Sequence, residues 1–133
     1  MSDTHNCIFC KIVRGEIPSH KVYEGADFLA FLDINPQSPG HLQVIPKQHY
    51  RWVWDVPNVG EYFEVVKKIA QAQMKAFETD WIISKIVGDE VQHAHIWALP
   101  GIKRGNSSSQ ELLKKFDKKD FEGNVERIKK ELK

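Results

Sequence analysis

The sequence predicts an α+β fold with an antiparallel sheet, on three observations. Short alternating runs are joined by turn signals, one long amphipathic helix stands between the third and fourth runs, and the strict β-α-β order of a parallel sheet is missing. With 133 residues, 41% of them hydrophobic, the chain can bury one core. A single domain is therefore expected, its core over 7–100 and a linker with a helical extension over 101–133.

Each element follows from local pattern. "CIFCKIVRGEIP" sets Ile8, Phe9, Ile12 and Val13 at one-turn spacing before Gly15, which predicts a short N-terminal helix closed by a glycine. "SHKVYEGADFLAFLDINP" alternates on either side of Gly25-Ala26, a hairpin over 20–24 and 27–34 that ends at Asn35-Pro36. After the turn-rich "NPQSPGH", "HLQVIPK" is a third strand whose Pro46 predicts a bulge or a sheet edge at its end. The central helix has Asn58 as its cap, Glu61 at the capping-box position, and Val59, Phe63, Val66, Ala70 and Phe77 on its buried face, to about Glu78. "WIISKIVG" and "HAHIWALP" alternate as fourth and fifth strands, with Gly88-Asp89 at or near their connection. Beyond the polar linker "GIKRGNSSS", Leu112, Phe116, Phe121, Val125, Ile128 and Leu132 recur at mostly helical intervals, which predicts one charged amphipathic helix or a pair broken at Gly123.

Composition narrows the partners. Lys and Arg number 19 against 18 Asp and Glu, a formal charge of +1, so no global field favours nucleic acid or an acidic membrane surface. An anion must be held by a local site. No apolar run approaches the roughly 20 residues of a membrane span, and "MSDTHNCIFC" lacks the basic, then apolar layout of a signal peptide, so a cytoplasmic protein is expected. The two cysteines, Cys7 and Cys10, form a C-x-x-C pair, which in a reducing compartment serves metal or redox chemistry more often than a structural disulfide. Redox use would call for a thioredoxin-like β-α-β context, which the pattern lacks.

The chemistry concentrates in "VQHAHIWALPG". Strand alternation puts His93, His95 and Trp97 on one face and Ala94, Ile96 and Ala98 on the other, and the small aliphatic face suits packing against a helix. The histidine face is expected to be the open one. A His-x-His pair alone is weak evidence of function. Its companions are more specific: C-x-x-C before K-I, E-I-P, the strand F-L-D-I, and G-H-x-x-V-I-P-K-x-H, in order, over residues 7–100. In these pieces together the chain resembles the histidine triad (HIT) family of nucleotide-binding and nucleotide-hydrolysing proteins.

The resemblance implies a HIT-like fold and a role for each matching residue. His95 occupies the place of the nucleophile, whose imidazole nitrogen attacks the α-phosphorus of a nucleoside phosphoramidate or dinucleotide to give a nucleotidyl-histidine that water cleaves. One difficult displacement becomes two easier ones, and a neutral imidazole is nucleophilic near pH 7. Asp33 matches the acid that accepts from the ribose hydroxyls. Ile8, Phe9, Ile12, Ile17, Phe31, Leu32 and Ile34 match positions around a purine base, although plain core packing would also explain each. Cys7, Cys10, His49 and His93 match a zinc set of many bacterial members, a closed tetrahedral site of the structural kind. His5, His20 and His41 fall outside these sets. A homodimer through the central helix and adjoining strand is implied too; the apolar "RWVW" and "YFEVV" suit either an interface or the monomer core.

Two departures bear on turnover. Relatives usually carry a third histidine where this chain has Trp97, whose indole can donate to phosphate or fill the pocket but cannot shuttle a proton. Relatives also place Gln and Ser or Thr beside the α-phosphate, where "SKIVGDEVQH" places Asp89 and Glu90. A carboxylate about 5 Å from a phosphate oxygen costs roughly 3 kcal/mol at an effective dielectric near 20, about a hundredfold in binding or rate. Either these acids point outward, or the usual substrate is poorly accepted. The functional expectation is a nucleotidyl hydrolase or transferase acting through His95; the alternative is a catalytically impaired HIT-like nucleotide-binding or interaction protein.

Overall fold

The computed structural model of the protein describes residues 6–101 and 107–132. It contains a five-stranded antiparallel sheet in the order β1-β2-β3-β5-β4, built from β1 (Lys21–Glu24), β2 (Phe28–Leu32), β3 (Leu42–Pro46), β4 (Ile82–Lys85) and β5 (Ile96–Pro100). The helices are α1 (Ile8–Val13), α2 (Val59–Ala76), α3 (Ser107–Lys115) and α4 (Phe121–Glu131). The α+β architecture with an antiparallel sheet is the one the pattern predicts.

Both faces of the sheet are covered. Leu29, Phe31 and Ile45 pack with Phe9 and Ile12 of α1 on one face. On the other, Ala30, Val44, Ile96 and Ala98 pack with Tyr62, Val66 and Ile69 of α2 and with Ile128 of α4. Every residue of β2 and β3 is consequently buried. The N-terminal helix ends as expected: Arg14 caps it, and Gly15 follows at φ +79°, in the left-handed region that favours glycine.

Three local expectations are corrected. Asn58 stands at the N-cap of α2 but makes no capping bond; its amide donates to Glu61 (3.1 Å) and Asp27 (3.3 Å). The buried stripe of α2 runs through Tyr62, Val66, Ile69, Ala72 and Gln73, leaving Phe63 exposed. Two polar residues turn the helix this way. The Tyr62 hydroxyl donates to the Val44 carbonyl (2.6 Å), and the Gln73 amide to the carbonyls of Gly40 (2.9 Å) and Ala98 (2.7 Å), so both are buried with their donors satisfied, although Gln73 Oε1 has no partner.

Pro46 pairs with Phe28 of β2, but the β3–β5 pairing ends at Val44, so Pro46 has a strand on one side only, the local edge that the sequence predicts; the irregularity in the sheet lies in β1, between Lys21 and Tyr23. The C-terminal segment is a helix pair broken around Asp117–Asp120, with Gly123 inside α4. Asp120 caps α4 by accepting from the Gly123 N–H (3.1 Å), and a Cβ at 123 would lie 2.2 Å from that carboxylate, so glycine leaves room for the cap. His5 and residues 102–106 of the expected linker lie outside the described residues.

Candidate functional site

α1, the end of β2, and the loop between β4 and β5 enclose a cavity of about 440 Å³. Its wall includes Ile8, Phe9, Ile12, Ile17, Phe31, Leu32, Asp33, Ile34, Trp97 and His95. The residues that the sequence singles out for a base, a ribose and a nucleophile thus meet in one space, of a size that suits a small ligand.

The approach to β5 shapes the position of His95. The strand starts at Ile96, so His93 and His95 precede it, contrary to the expected start at His93. Bonds outside the sheet hold this stretch: the Ala94 N–H donates to the Tyr50 carbonyl (2.7 Å), and the His93 Nε2–H to the Pro46 carbonyl (2.9 Å). Alternation still sends Ala94, Ile96 and Ala98 into the α2 core. The histidine face is not open, however. α1 covers it, with the Phe9 ring edge-on to both imidazoles (centroids 5.8 Å from His93 and 5.3 Å from His95), so His93 is fully buried and His95 is 7% exposed.

His95 Nδ1 lies 2.7 Å from the His93 carbonyl. A carbonyl only accepts, so Nδ1 carries a hydrogen, and in the neutral tautomer that this selects the lone pair is on Nε2. The ring is thereby locked in the tautomer and orientation that nucleophilic attack through Nε2 needs.

Asp33 is fixed from both sides. Its Oδ1 accepts from the Asn35 backbone N–H (2.8 Å), and its Oδ2 from the Gln43 amide (2.9 Å). The remaining lone pairs can accept from a diol. His41 lies beneath, fully buried, with Nε2 3.7 Å from Asp33 Oδ2. Its Nδ1 accepts from the Gln37 N–H (3.1 Å), so Nε2 carries the hydrogen that faces the carboxylate. Burial holds His41 below its ordinary pKa, against the pull of Asp33. His41 is therefore part of the site's support; His20, by contrast, stacks on Phe121 (4.9 Å) far along the chain.

Gln43, Ser19 and Asn35 line the cavity without having been singled out in the sequence. The signal for Gln43 was available: it is the one polar residue of β3 and alternates onto the face of Ile45, directly across from Trp97. Trp97 packs against His41 (5.0 Å), and its Nε1 is buried without a hydrogen-bond partner. Asp89 and Glu90 are exposed but also belong to the cavity wall, so the two acids bear on the ligand space. Gly88 sets their loop: it is buried at φ +74°, where a Cβ would lie 2.5 Å from the Trp52 ring.

Behind His95 lies the second constellation. Cys7, Cys10, His49 and His93 bring one ligand atom each to within 4.8 Å of one another. His93 Nδ1 is 3.3 Å from Cys7 Sγ and 3.4 Å from Cys10 Sγ, and His49 Nδ1 is 3.2 Å from Cys10 Sγ. Donor atoms about 3.5 Å apart are what metal–ligand bonds of about 2.0–2.3 Å in a tetrahedron require. The His93 Nε2–H bond to Pro46 leaves Nδ1 bare toward the sulfurs, the arrangement that orients a ligating imidazole. Burial pushes His93 down to about 4, keeping it neutral. Burial and then the Cys7 sulfur push the Cys10 thiol up to about 12, so a thiolate pair here needs a cation among the four atoms. The donor set fits a metal ion.

Known proteins resemble this chain over most of its length. Adenosine 5'-monophosphoramidase HNT1 of Saccharomyces cerevisiae is 39% identical over 99 residues, 71% of this chain and 61% of that protein. Adenylylsulfatase HINT3 of Arabidopsis thaliana is 34% identical over 122 residues, 86% of this chain and 62% of that protein. The crystal structure of a Zn-bound histidine triad family protein from Mycobacterium smegmatis superposes with a TM-score of 0.79 at 28% identity, covering 98% of this chain and 95% of that one. The HIT domain model matches residues 14–104, and with that match over most of its length the chain belongs to the HIT domain family.

Proposed function

We propose that the protein binds a purine nucleotide in this cavity and hydrolyses or transfers its nucleotidyl group through a covalent intermediate on His95, the substrate being a nucleoside phosphoramidate or a dinucleoside polyphosphate. The observation that carries this reading is the His95 Nδ1–H bond to the His93 carbonyl, which presents a bare Nε2 in the same cavity as Asp33. Asp33 receives the ribose hydroxyls. Ile8, Phe9, Ile12, Ile17, Phe31, Leu32 and Ile34 surround the base, and Trp97 offers Nε1–H to the phosphate. The relatives named for phosphoramidate and adenylylsulfate hydrolysis support the reaction class.

Cys7, Cys10, His49 and His93 would hold zinc. With four protein ligands the ion would brace the segment that carries His95 and leave no position for water activation. Trp54 and Phe63 stand exposed, at 68% and 41%, beside the core residues Val53, Tyr62 and Val66, which supports a homodimer through α2 and the turn before it. No described helix is long and apolar enough to cross a membrane. Neither membrane nor nucleic acid is assigned as a partner, and the cytoplasm is the proposed compartment.

The test is incubation with adenosine 5′-phosphoramidate and mass spectrometry for adenylyl-His95 and AMP, with His95→Asn as control. Nucleotide binding with neither adduct nor AMP, repeated with a second nucleotide, would leave the non-enzymatic binding or interaction protein. Trp97, Asp89 and Glu90 are what favour that second reading.

A further inference from the structure

We propose that Asp89 and Glu90 make the cavity selective for the charge of the leaving group, accepting nucleotidyl groups carried on an amine and discriminating against those carried on an anion such as sulfate or polyphosphate. This rests on the reading of His95 as nucleophile and adds what leaves.

The cavity wall holds three carboxylates, Asp33, Asp89 and Glu90, beside His95, and neither Lys nor Arg is among its described lining residues. Asp33 is held by Asn35 and Gln43, and its remaining lone pairs are those proposed for the ribose. Asp89 and Glu90 belong to the turn that Gly88 presses against Trp52, next to the segment that delivers His95. Their charges therefore act on the reacting end of a ligand whose ribose is on Asp33. The buried, unpartnered atoms of the wall, Ser19 Oγ, Gln43 Oε1 and Trp97 Nε1, are neutral; the cation Lys85 stands outside the wall with Nζ 5.7 Å from the Trp97 ring, a single charge against those of Asp89 and Glu90.

Proton balance points the same way. In a phosphoramidate, His95 Nε2 forms a bond to phosphorus while the P–N bond breaks; its electron pair stays on nitrogen, which leaves as an amine after taking a proton. Trp97 has no proton to give at neutral pH. Nearby carboxylates favour the protonated form of the substrate nitrogen, so solvent can supply that proton before the bond breaks. Water then adds to phosphorus, the P–Nε2 bond breaks, a proton returns to solvent, and the nucleoside monophosphate is released. A sulfate or polyphosphate leaving group needs no proton but gathers negative charge against the same two carboxylates. Because both are solvent-exposed, about tenfold in rate per carboxylate is expected.

The experiment compares kcat/KM of the full chain for adenosine 5′-phosphoramidate, adenosine 5′-phosphosulfate and diadenosine tetraphosphate. Wild type is expected to favour the phosphoramidate, and Asp89→Asn combined with Glu90→Gln should lower that preference about a hundredfold, with a smaller loss in high salt. Preference for phosphosulfate in wild type, or an unchanged ratio in the double variant, overturns the proposal. If no substrate turns over and His95 stays unmodified, it is the nucleophile reading that fails. Binding then decides the charge preference: adenosine 5′-(2-aminoethyl phosphate) should bind wild type at least about tenfold tighter than ADP and lose that advantage in the double variant. Equal affinities in wild type would overturn it.

Discussion

The backbone carbonyl of His93 accepts the Nδ1–H of His95 at 2.7 Å, while the side chain of His93 faces Cys7 and Cys10 at 3.3 and 3.4 Å. One residue thus belongs to the metal-type cluster through its ring and orients the His95 imidazole, the proposed nucleophile, through its main chain. Chelation, or Cys7→Ser, is therefore expected to lower kcat more than it raises KM, since the ribose and base contacts lie elsewhere. A variant that retains stoichiometric zinc and full kcat would count against this coupling.

The same cluster should stabilise the fold. At a free metal concentration about 100-fold above Kd, binding to the native state alone adds about 2.7 kcal/mol, or about 10 °C in Tm for a chain of this length. Calorimetry with and without chelator checks it; coincident transitions would mean that the four ligands do not hold an ion.

Acid should weaken the metal-stripped protein. Burial holds His93 at about 4 in the folded chain against an ordinary 6.5, and shifts His41 and His49 in the same direction. The unfolded chain therefore takes up protons first. Stability is full above about pH 6.5 and declines as pH falls toward 4, with His93 alone responsible for about 3 kcal/mol. Urea midpoints at pH 7.5 and 4.5 measure the effect, and a flat profile would contradict the burial argument.

Gln43 fixes Asp33 by a 2.9 Å bond. Gln43→Leu removes that donor, so the carboxylate loses one of its two fixed bonds. Nucleotide affinity should fall about tenfold with metal content unchanged. Isothermal titration with AMP reads it, and unaltered affinity would show that the Asn35 N–H is sufficient.

Gly88→Ala combines a left-handed backbone with a Cβ 2.5 Å from the Trp52 ring. A loss of about 1–3 kcal/mol is expected in chemical denaturation. A neutral result would mean that the exposed indole yields freely.

Much of this could be read from local pattern. The glycine-ended α1 and the β1–β2 hairpin follow from spacing, because their side chains are apolar in period or sit at fixed offsets from turns, whereas the grouping of His95 with Asp33 comes from the family resemblance. The phase of α2 did not, because Tyr62 and Gln73 are buried by hydrogen bonds to β3 and β5, partners that a helical wheel cannot contain. His41 escaped for a similar reason. Its importance lies in Gln37 and Asp33 folding around it, on opposite sides of a turn. The cover over His93 and His95 comes from Phe9, more than eighty positions away, and no alternation rule within β5 registers it.

The match to the HIT domain model stops at residue 104, whereas Asn124 and Ile128 of α4 are fully enclosed, Ile128 within the core shared by the sheet and α2. A molecule trimmed to the end of that match would expose an apolar strip along β1 and α2, inviting self-association. The portion that looks like a dispensable tail is, for this chain, part of what keeps its interior dry.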